Sequence, residues 1–192
     1  MPFSGRPVEG EHIRLRYARL DDVEAYAAFL QDEEMNRLTG SQTEFSRKDI
    51  EEWLRKISIV NSGERVDYMI VEKSSGMLVG EVVLNEMDTV NRSANIRIGI
   101  QGSTFRGKGY GTEAMLLMLR VGFVSLNLHR IHLGVYTFNP RAIHVYEKIG
   151  FKREGVQRDV LFANGTFHDM VMMSMLENEF YERYGKEEPA WG

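Results

Sequence analysis

The sequence has no cysteine in 192 residues. That excludes disulfides, thiolate metal sites and a thiol nucleophile, and it fits a reducing, cytoplasmic setting. Excess positive charge is missing too: 24 basic residues face 28 acidic ones, for a formal net charge of −4. Such a chain lacks the basic footprint of a nucleic-acid binder, so no direct nucleic-acid partner is expected. Long apolar runs are also absent. The best candidate, residues 114–128, is broken by Arg120, Ser125 and Asn127, short of the roughly 18 uninterrupted residues of a membrane span. The opening stretch MPFSGRPVEGEHIRLR carries no apolar core of signal-peptide length, so neither export nor a membrane partner is expected. The glycosylation triplets at Asn91 and Asn164 are discounted for the same reason. No internal repeat, low-complexity block or linker interrupts the chain.

Hydrophobic residues make up 43% and charged residues 27%, ordinary for a globular protein. The length suits one domain over residues 1–192, with a core over about 11–180 and flexible ends at 1–10 and 181–192. IRLRYA (Ile13 to Ala18) alternates as a strand does. Asp21 and Asp22 can cap a helix through Leu30, and residues 31–45 read as polar loop. Ser46 and Asp49 form a near capping box for a helix whose stripe is Ile50, Trp53, Leu54 and Ile57. VDYMIVE and MLVGEVVLNEM flank KSSG as a hairpin. In RSANIRIGI, Ala94, Ile96, Ile98 and Ile100 face one way and Ser93, Asn95, Arg97 and Gly99 the other. A glycine-rich loop, a helix to about Leu126 and the strand HRIHLGVYTF follow. Asn139-Pro140 opens another helix, which Gly150 ends. Two strands around Asn164-Gly165 come next, and the charged tail after Glu179 is expected to fray. The fold class is mixed α/β (α+β), with about four helices flanking a mostly antiparallel twisted sheet.

The loop RGKGYG sets Gly107, Gly109 and Gly111 at the mouth of a helix. Lys108 is followed by Gly109 rather than Ser or Thr, which excludes the P-loop, and the Gly spacing excludes the dinucleotide fingerprint. A helix start with its free N–H groups still favours an anion, and Arg106 and Lys108 add charge. A glycine turn that merely packs the helix on the sheet is the bland alternative.

The loop does not stand alone. Arg-x-x-Gly-x-Gly after an IGI strand, followed about thirty residues later by NPRAIHVYEKIGF, resembles the GNAT superfamily of N-acetyltransferases. HIRLRYARLDDVEAYAAF and GTFHDMVMMSML extend the likeness along nearly the whole chain, most closely to the branch of ribosomal-protein N-terminal acetyltransferases and spermidine acetyltransferases. The resemblance implies acetyl-CoA as co-substrate, no metal, direct transfer to a primary amine (a protein N-terminus or a small amine such as a polyamine), and a cleft between splayed strands. It implies pyrophosphate binding by Arg106, Gly107, Lys108, Gly109, Tyr110, Gly111 and Thr112, and pantetheine pairing along Ile98, Gly99 and Ile100. Asn139 and Ala142 are implied on the pantetheine arm. Dimers are common in such a family, so a homodimer is a possible assembly.

Attack of an amine on a thioester needs a base, an acid and an oxyanion donor. Tyr146 is the acid candidate. Helical spacing groups it with Asn139, Ala142, Ile143 and Ile149, away from Arg141, His144, Glu147 and Lys148, and the resemblance points to the same residue. A core aromatic is the alternative role. Asn95 stands where many relatives carry a Glu, so Glu81 and Glu86 are the base candidates, on opposite faces of a regular strand; waters are the third option. Glu86 matches an acidic position of the polyamine-acetylating relatives, whereas the neighbouring glutamate of that pattern is Val83. His129 and His132 face opposite sides and do not chelate together, and His144 and His168 read as surface. The eleven Met fill core, whereas Trp53 and Phe45, near the second helix, either shape the acceptor pocket or pack in the core. Selectivity falls to loops 31–45, 85–92 and 160–168. A non-catalytic acyl-CoA sensor and a phosphate-binding interaction module are the rival functions.

Overall fold

The computed structural model describes residues 6–59, 64–190 and 192. One mixed sheet, ordered β1-β2-β3-β4-β5-β6-β8-β7, runs through the molecule. β1 (Val8–Glu9) and β2 (Ile13–Arg16) pair antiparallel, and β2 buries Ile13 and Leu15 while Arg14 and Arg16 point outward. A 3₁₀ turn at Leu20–Asp22 leads into α1 (Val23–Leu30). The Asp22 carboxylate serves the turn and not α1: it accepts from the Arg19 amide at 2.7 Å and takes both arms of Arg16 at 2.6 and 2.7 Å.

Residues 31–45 depart from the expected loop, because they contain α2 (Glu33–Thr39). Only Met35 and Leu38 are apolar there, so no stripe announces the helix. Its ends carry the signal instead. Asp32 Oδ1 accepts from the Met35 amide at 2.8 Å, and Gly40 closes the helix at φ 69°, the left-handed cap that glycine takes cheaply. α3 (Arg47–Ile59) starts from the Ser46–Asp49 box, with Ser46 N donating to Asp49 Oδ2 at 2.9 Å and Asp49 N to Ser46 Oγ at 3.2 Å.

β3 (Val66–Glu72), β4 (Leu78–Asp88) and β5 (Ser93–Ile100) form the antiparallel centre. α4 (Gly102–Phe105) and the glycine loop precede α5 (Tyr110–Arg120), which runs into a π-helical turn at Val121–Ser125. β6 (Arg130–Tyr136), α6 (Pro140–Ile149), β7 (Lys152–Ala163) and β8 (Thr166–Leu176) complete the sheet side. β5 and β6 are the one parallel pair among the described residues. They pair only through Ser93–Asn95 against Arg130–His132. Beyond that register both strands continue unpaired with each other, and a wedge opens.

One core cluster joins β2, β5, β6 and β8 to α5, with Met115, Met118, Met173 and Met175 in it; Met77, in the turn before β4, is 54% exposed and departs from the core role expected of the methionines. The second joins α1, α2 and α3 to Met69 and Leu78. The expected fraying tail is instead α7 (Glu177–Tyr184). Phe180 stacks on Phe123 at 5.0 Å, and the Tyr181 and Tyr184 hydroxyls donate to the Phe123 and Ile149 carbonyls. Aromatic burial outweighs the charge around it. The two chain ends meet, with Glu9 N donating to Ala190 O at 2.7 Å and Gly192 N to Pro7 O at 2.8 Å. α2, α4 and α7 raise the helix count from the expected four to seven among the described residues. None of these helices is long and apolar enough to cross a membrane.

Candidate active site

Gly107 and Gly109 sit at φ 85° and 88°, a left-handed backbone that side chains avoid. Gly109 is the N-cap of α5, so the free first-turn amides of that helix begin here. A cavity of about 520 Å³ lies against the loop, in the wedge. Gly107, Gly109, Gly111, Thr112 and Arg106 line it from the loop side, and Ile98, Gly99 and Ile100 from β5. An open glycine cradle, free amides and an unpaired strand edge suit the phosphate and amide groups of acetyl-CoA.

The side chains of Arg106, Lys108 and Tyr110 are engaged within the protein, which leaves the loop amides as the expected anion donors. The Arg106 guanidinium is held by Asp32 at 2.6 and 2.7 Å, by Glu34, and by the Ile100 carbonyl at 3.1 Å. Its charge is spent on tying the loop to α2. The Lys108 side chain lies over the Phe105 and Tyr110 rings, 3.9 Å from Glu72. The Tyr110 hydroxyl donates to Glu72 and its ring is buried. Neither Lys108 nor Tyr110 lines the cavity. The lining cation that sequence reasoning missed is Arg141, whose Nη2 lies 3.4 Å from a Cβ built on Gly107. Its position on the polar face of α6 hid it, because the rim of a cavity and bulk solvent look alike in helical periodicity.

α6 brings Asn139, Ala142 and Tyr146 to the opposite wall. Asn139 caps the helix, its Oδ1 accepting from the Ala142 amide at 3.2 Å, and lines the cavity as well. Tyr146 packs edge-on to Phe151 at 6.0 Å. Burial pushes its hydroxyl up to about 12, so it holds its proton at neutral pH.

A second cavity of about 640 Å³ adjoins the first on the α1–α3 side of the sheet. Met35, Thr39, Ile98 and Gly99 belong to both linings. Tyr26, Phe29, Phe45 and Trp53 supply aromatic walls, and Glu81 and Arg97 come from the sheet. Of the two roles open to them, Phe45 and Trp53 both line this cavity: Phe45 is 48% exposed, while Trp53 also packs against the α1–α3 core cluster and carries the Arg65 guanidinium over its ring at 4.7 Å. Glu81 accepts from the Tyr26 hydroxyl at 2.8 Å. Burial raises its pKa, against the Tyr26 hydrogen bond and the Arg97 charge. Of the three expected selectivity loops only 31–45 reaches either cavity.

Glu86 is not brought to this wall. It is exposed at a bulge in β4, at φ 52°. The irregularity also ends the simple opposite-face reading of Glu81 and Glu86. The Asn95 amide donates to Asn85 Oδ1 at 2.8 Å. His129 pairs with Glu177 at 3.1 Å. His168 is half-buried, edge-on to Phe138 at 4.9 Å, and so is not the free surface residue expected. No group of three side chains arranged to hold a metal ion occurs among the described residues.

Comparison with known proteins converges on one family. Residues 12–152 match the acetyltransferase (GNAT) domain. The chain is 27% identical over 177 residues to the uncharacterized N-acetyltransferase YokL of Bacillus subtilis, covering 92% of this chain and 96% of that one. It is 36% identical over 114 residues to a spermidine N(1)-acetyltransferase of Vibrio cholerae, covering 59% of this chain and 65% of that one. The fold matches the crystal structure of a Vibrio cholerae spermidine N-acetyltransferase in complex with CoA and spermine at a TM-score of 0.81 and 26% identity, over 89% of this chain and 99% of that one. A family match across most of the sequence, on a sheet that splays beside a glycine loop, makes this chain a member of the GNAT family of acetyltransferases.

Proposed function

We propose that this single-domain protein transfers the acetyl group of acetyl-CoA directly to a primary amine. The observation that carries the reading is the shared wall of the two cavities, Met35, Thr39, Ile98 and Gly99. A thioester in the wedge and an amine on the α1–α3 side would meet there. The glycine loop from Gly107 to Thr112 and the α5 amides take the pyrophosphate, and Arg141 supplies the nearby charge. Ile98 to Ile100 and Asn139 hold the pantetheine arm. Glu81, a carboxylate among aromatic walls, attracts the ammonium group of the acceptor. Tyr146 protonates the departing thiolate. With no cysteine in the chain, transfer passes through no thioester of the enzyme.

The acceptor is a small amine or the end of a peptide. Relatives named as spermidine acetyltransferases make polyamines the first class to test. A sensor that binds acetyl-CoA without turnover is the alternative, favoured by Asn95 and Asn85 satisfying each other where a carboxylate is usual. A free-thiol assay with acetyl-CoA and a panel of polyamines, N-terminal peptides and aminoglycosides decides. CoA release with one class is the expected result. Acetyl-CoA binding with no release across the panel would replace the enzyme by the sensor.

A further inference from the structure

β5 and β6 part directly after Asn95 and His132, which stand opposite each other in the ladder. His132 thus marks the point of the wedge. Paired residues of a ladder leave the sheet on the same face, so His132 follows Asn95, which alternates with the buried Ala94 and Ile96. Further along that face lie Arg97 and, across from Gly99, Glu81. Both line the α1–α3 cavity.

The imidazole is half-buried, and its Nδ1 is buried with no hydrogen-bond partner among the described residues. Such an atom is rare in a folded protein and asks for a role. The ladder neighbours of His132 are Asn95 and Ser174, neither of which titrates. Charged groups reach it from three strands: Arg130 of its own strand, Glu86 of β4 and Glu154 of β7. Arg130 binds both Glu154 oxygens at 2.6 Å, and Ser174 donates to the same carboxylate at 2.8 Å. That carboxylate is committed elsewhere, which leaves the ring free.

We infer that His132, at the point of the wedge and outside both cavity linings, is the base that takes the proton of the acceptor amine through an intervening water. The inference rests on the acetyltransferase reading of the site. Burial, then Arg130, lower the imidazole pKa below its ordinary 6.5, outweighing Glu86 and Glu154. The ring is therefore neutral at pH 7 and able to accept. The ammonium of the acceptor gives one proton, through that water, to the imidazole. The freed lone pair forms the N–C bond at the thioester carbonyl, and the C–S bond breaks with its electron pair on sulfur. Tyr146 gives its proton to that thiolate and regains one from the nitrogen of the adduct. His132 returns its proton to solvent, so one amide, one CoA thiol and one proton are formed.

The test uses the intact protein, with an amine from the panel, from about pH 5 to about pH 9. His132→Gln and His132→Asn are expected to lower kcat about 100-fold near neutral pH. They should remove the acid limb of the kcat profile and keep the thermal stabilisation by acetyl-CoA, and added imidazole should restore part of the rate. Variants that turn over at the wild-type rate with the acid limb intact would overturn the assignment, as would loss of that limb in Glu81→Gln alone. Silence of the wild type across the whole panel removes the acetyltransferase reading and the base with it. Wild-type turnover beside undisturbed His132 variants removes only the base.

Discussion

Two residues of the site answer to single substitutions. Tyr146 holds its proton because burial pushes the hydroxyl up to about 12, which suits an acid that must survive to the moment of C–S cleavage. Tyr146→Phe should lower kcat about 100-fold and leave KM nearly unchanged, as read in CoA release. No alkaline loss of kcat should trace to this group up to about pH 10. Gly109 sits at φ 88°, and a Cβ there meets nothing within 4 Å. Gly109→Ala should cost only the left-handed strain, about 1–2 kcal/mol. Gly109→Glu adds a carboxylate beside the loop. Its affinity for acetyl-CoA should fall by at least about 10-fold more than that of Gly109→Ala, an added loss of about 1.4 kcal/mol in calorimetry. The glycines and Tyr146 were legible in the sequence because their chemistry is local. Arg141 was not, because helical periodicity separates buried from exposed and does not distinguish a cavity wall from either.

At the scale of elements, Asp32 joins three parts of the molecule. It caps α2 through the Met35 amide, accepts from the Gly102 amide, and takes Arg106 of the glycine loop at 2.6 and 2.7 Å. α2 contributes to the walls of both cavities, so this carboxylate links the loop to the helix above the acceptor. Burial would raise its pKa, but the two amides and Arg106 prevail and hold it below the ordinary 3.8. Asp32→Asn keeps a capping oxygen and loses the charge. Its expected signature is a higher KM for both acetyl-CoA and amine with a smaller change in kcat. Asp32→Ala also loses the cap, about 1 kcal/mol in urea unfolding, and leaves Arg106 without its main partner. The Ser46–Asp49 box was readable from spacing alone, as were the turn at Gly165 and the stop at Gly150. α2 escaped because its seven residues carry no apolar stripe, although Asp32 and Gly40 mark its ends locally.

For the whole molecule, the carboxylates decide how the fold meets acid. Hydrogen bonds from Arg130 hold Glu154 down at about 2 against its desolvation, with Ser174 adding to them. Glu177 is lowered by His129 and Arg92, and Glu179 by Lys152 and the Leu176 amide against burial. A carboxylate with a depressed folded pKa stabilises the protein above its unfolded value. That stability is lost as pH falls through the folded value. Glu81 runs the other way, since burial raises it and its ionisation costs folding free energy as pH rises. The lowered carboxylates, which also include Glu9, Asp32 and Glu72, outnumber the raised one. Urea-unfolding free energy should be flat near neutrality and fall steadily below about pH 5, as followed by circular dichroism. Acetyl-CoA at about 100 times its Kd should add about 2.7 kcal/mol at neutral pH.

Alternation, caps and turn glycines determined most strands, α3, α5 and α6, and the motif pair from Arg106 to Gly111 and Asn139 to Phe151 carried the family. These are short-range quantities: a period, a φ value, a side chain reaching three residues back. Tertiary structure alone decided the rest. The parting of β5 from β6 after Asn95 and His132 has no local signature, because β8 holds the opposite edge of β6 over its whole length and carries it away from β5. The diversion of Arg106 and Lys108 from the expected anion to Asp32 and Glu72 depends on α2 and β3 arriving beside the loop. The bulge that leaves Glu86 exposed, and the pairing of β5 with β6 that ends at His132, are likewise set by strand registry across the sheet, which no single stretch of the chain contains.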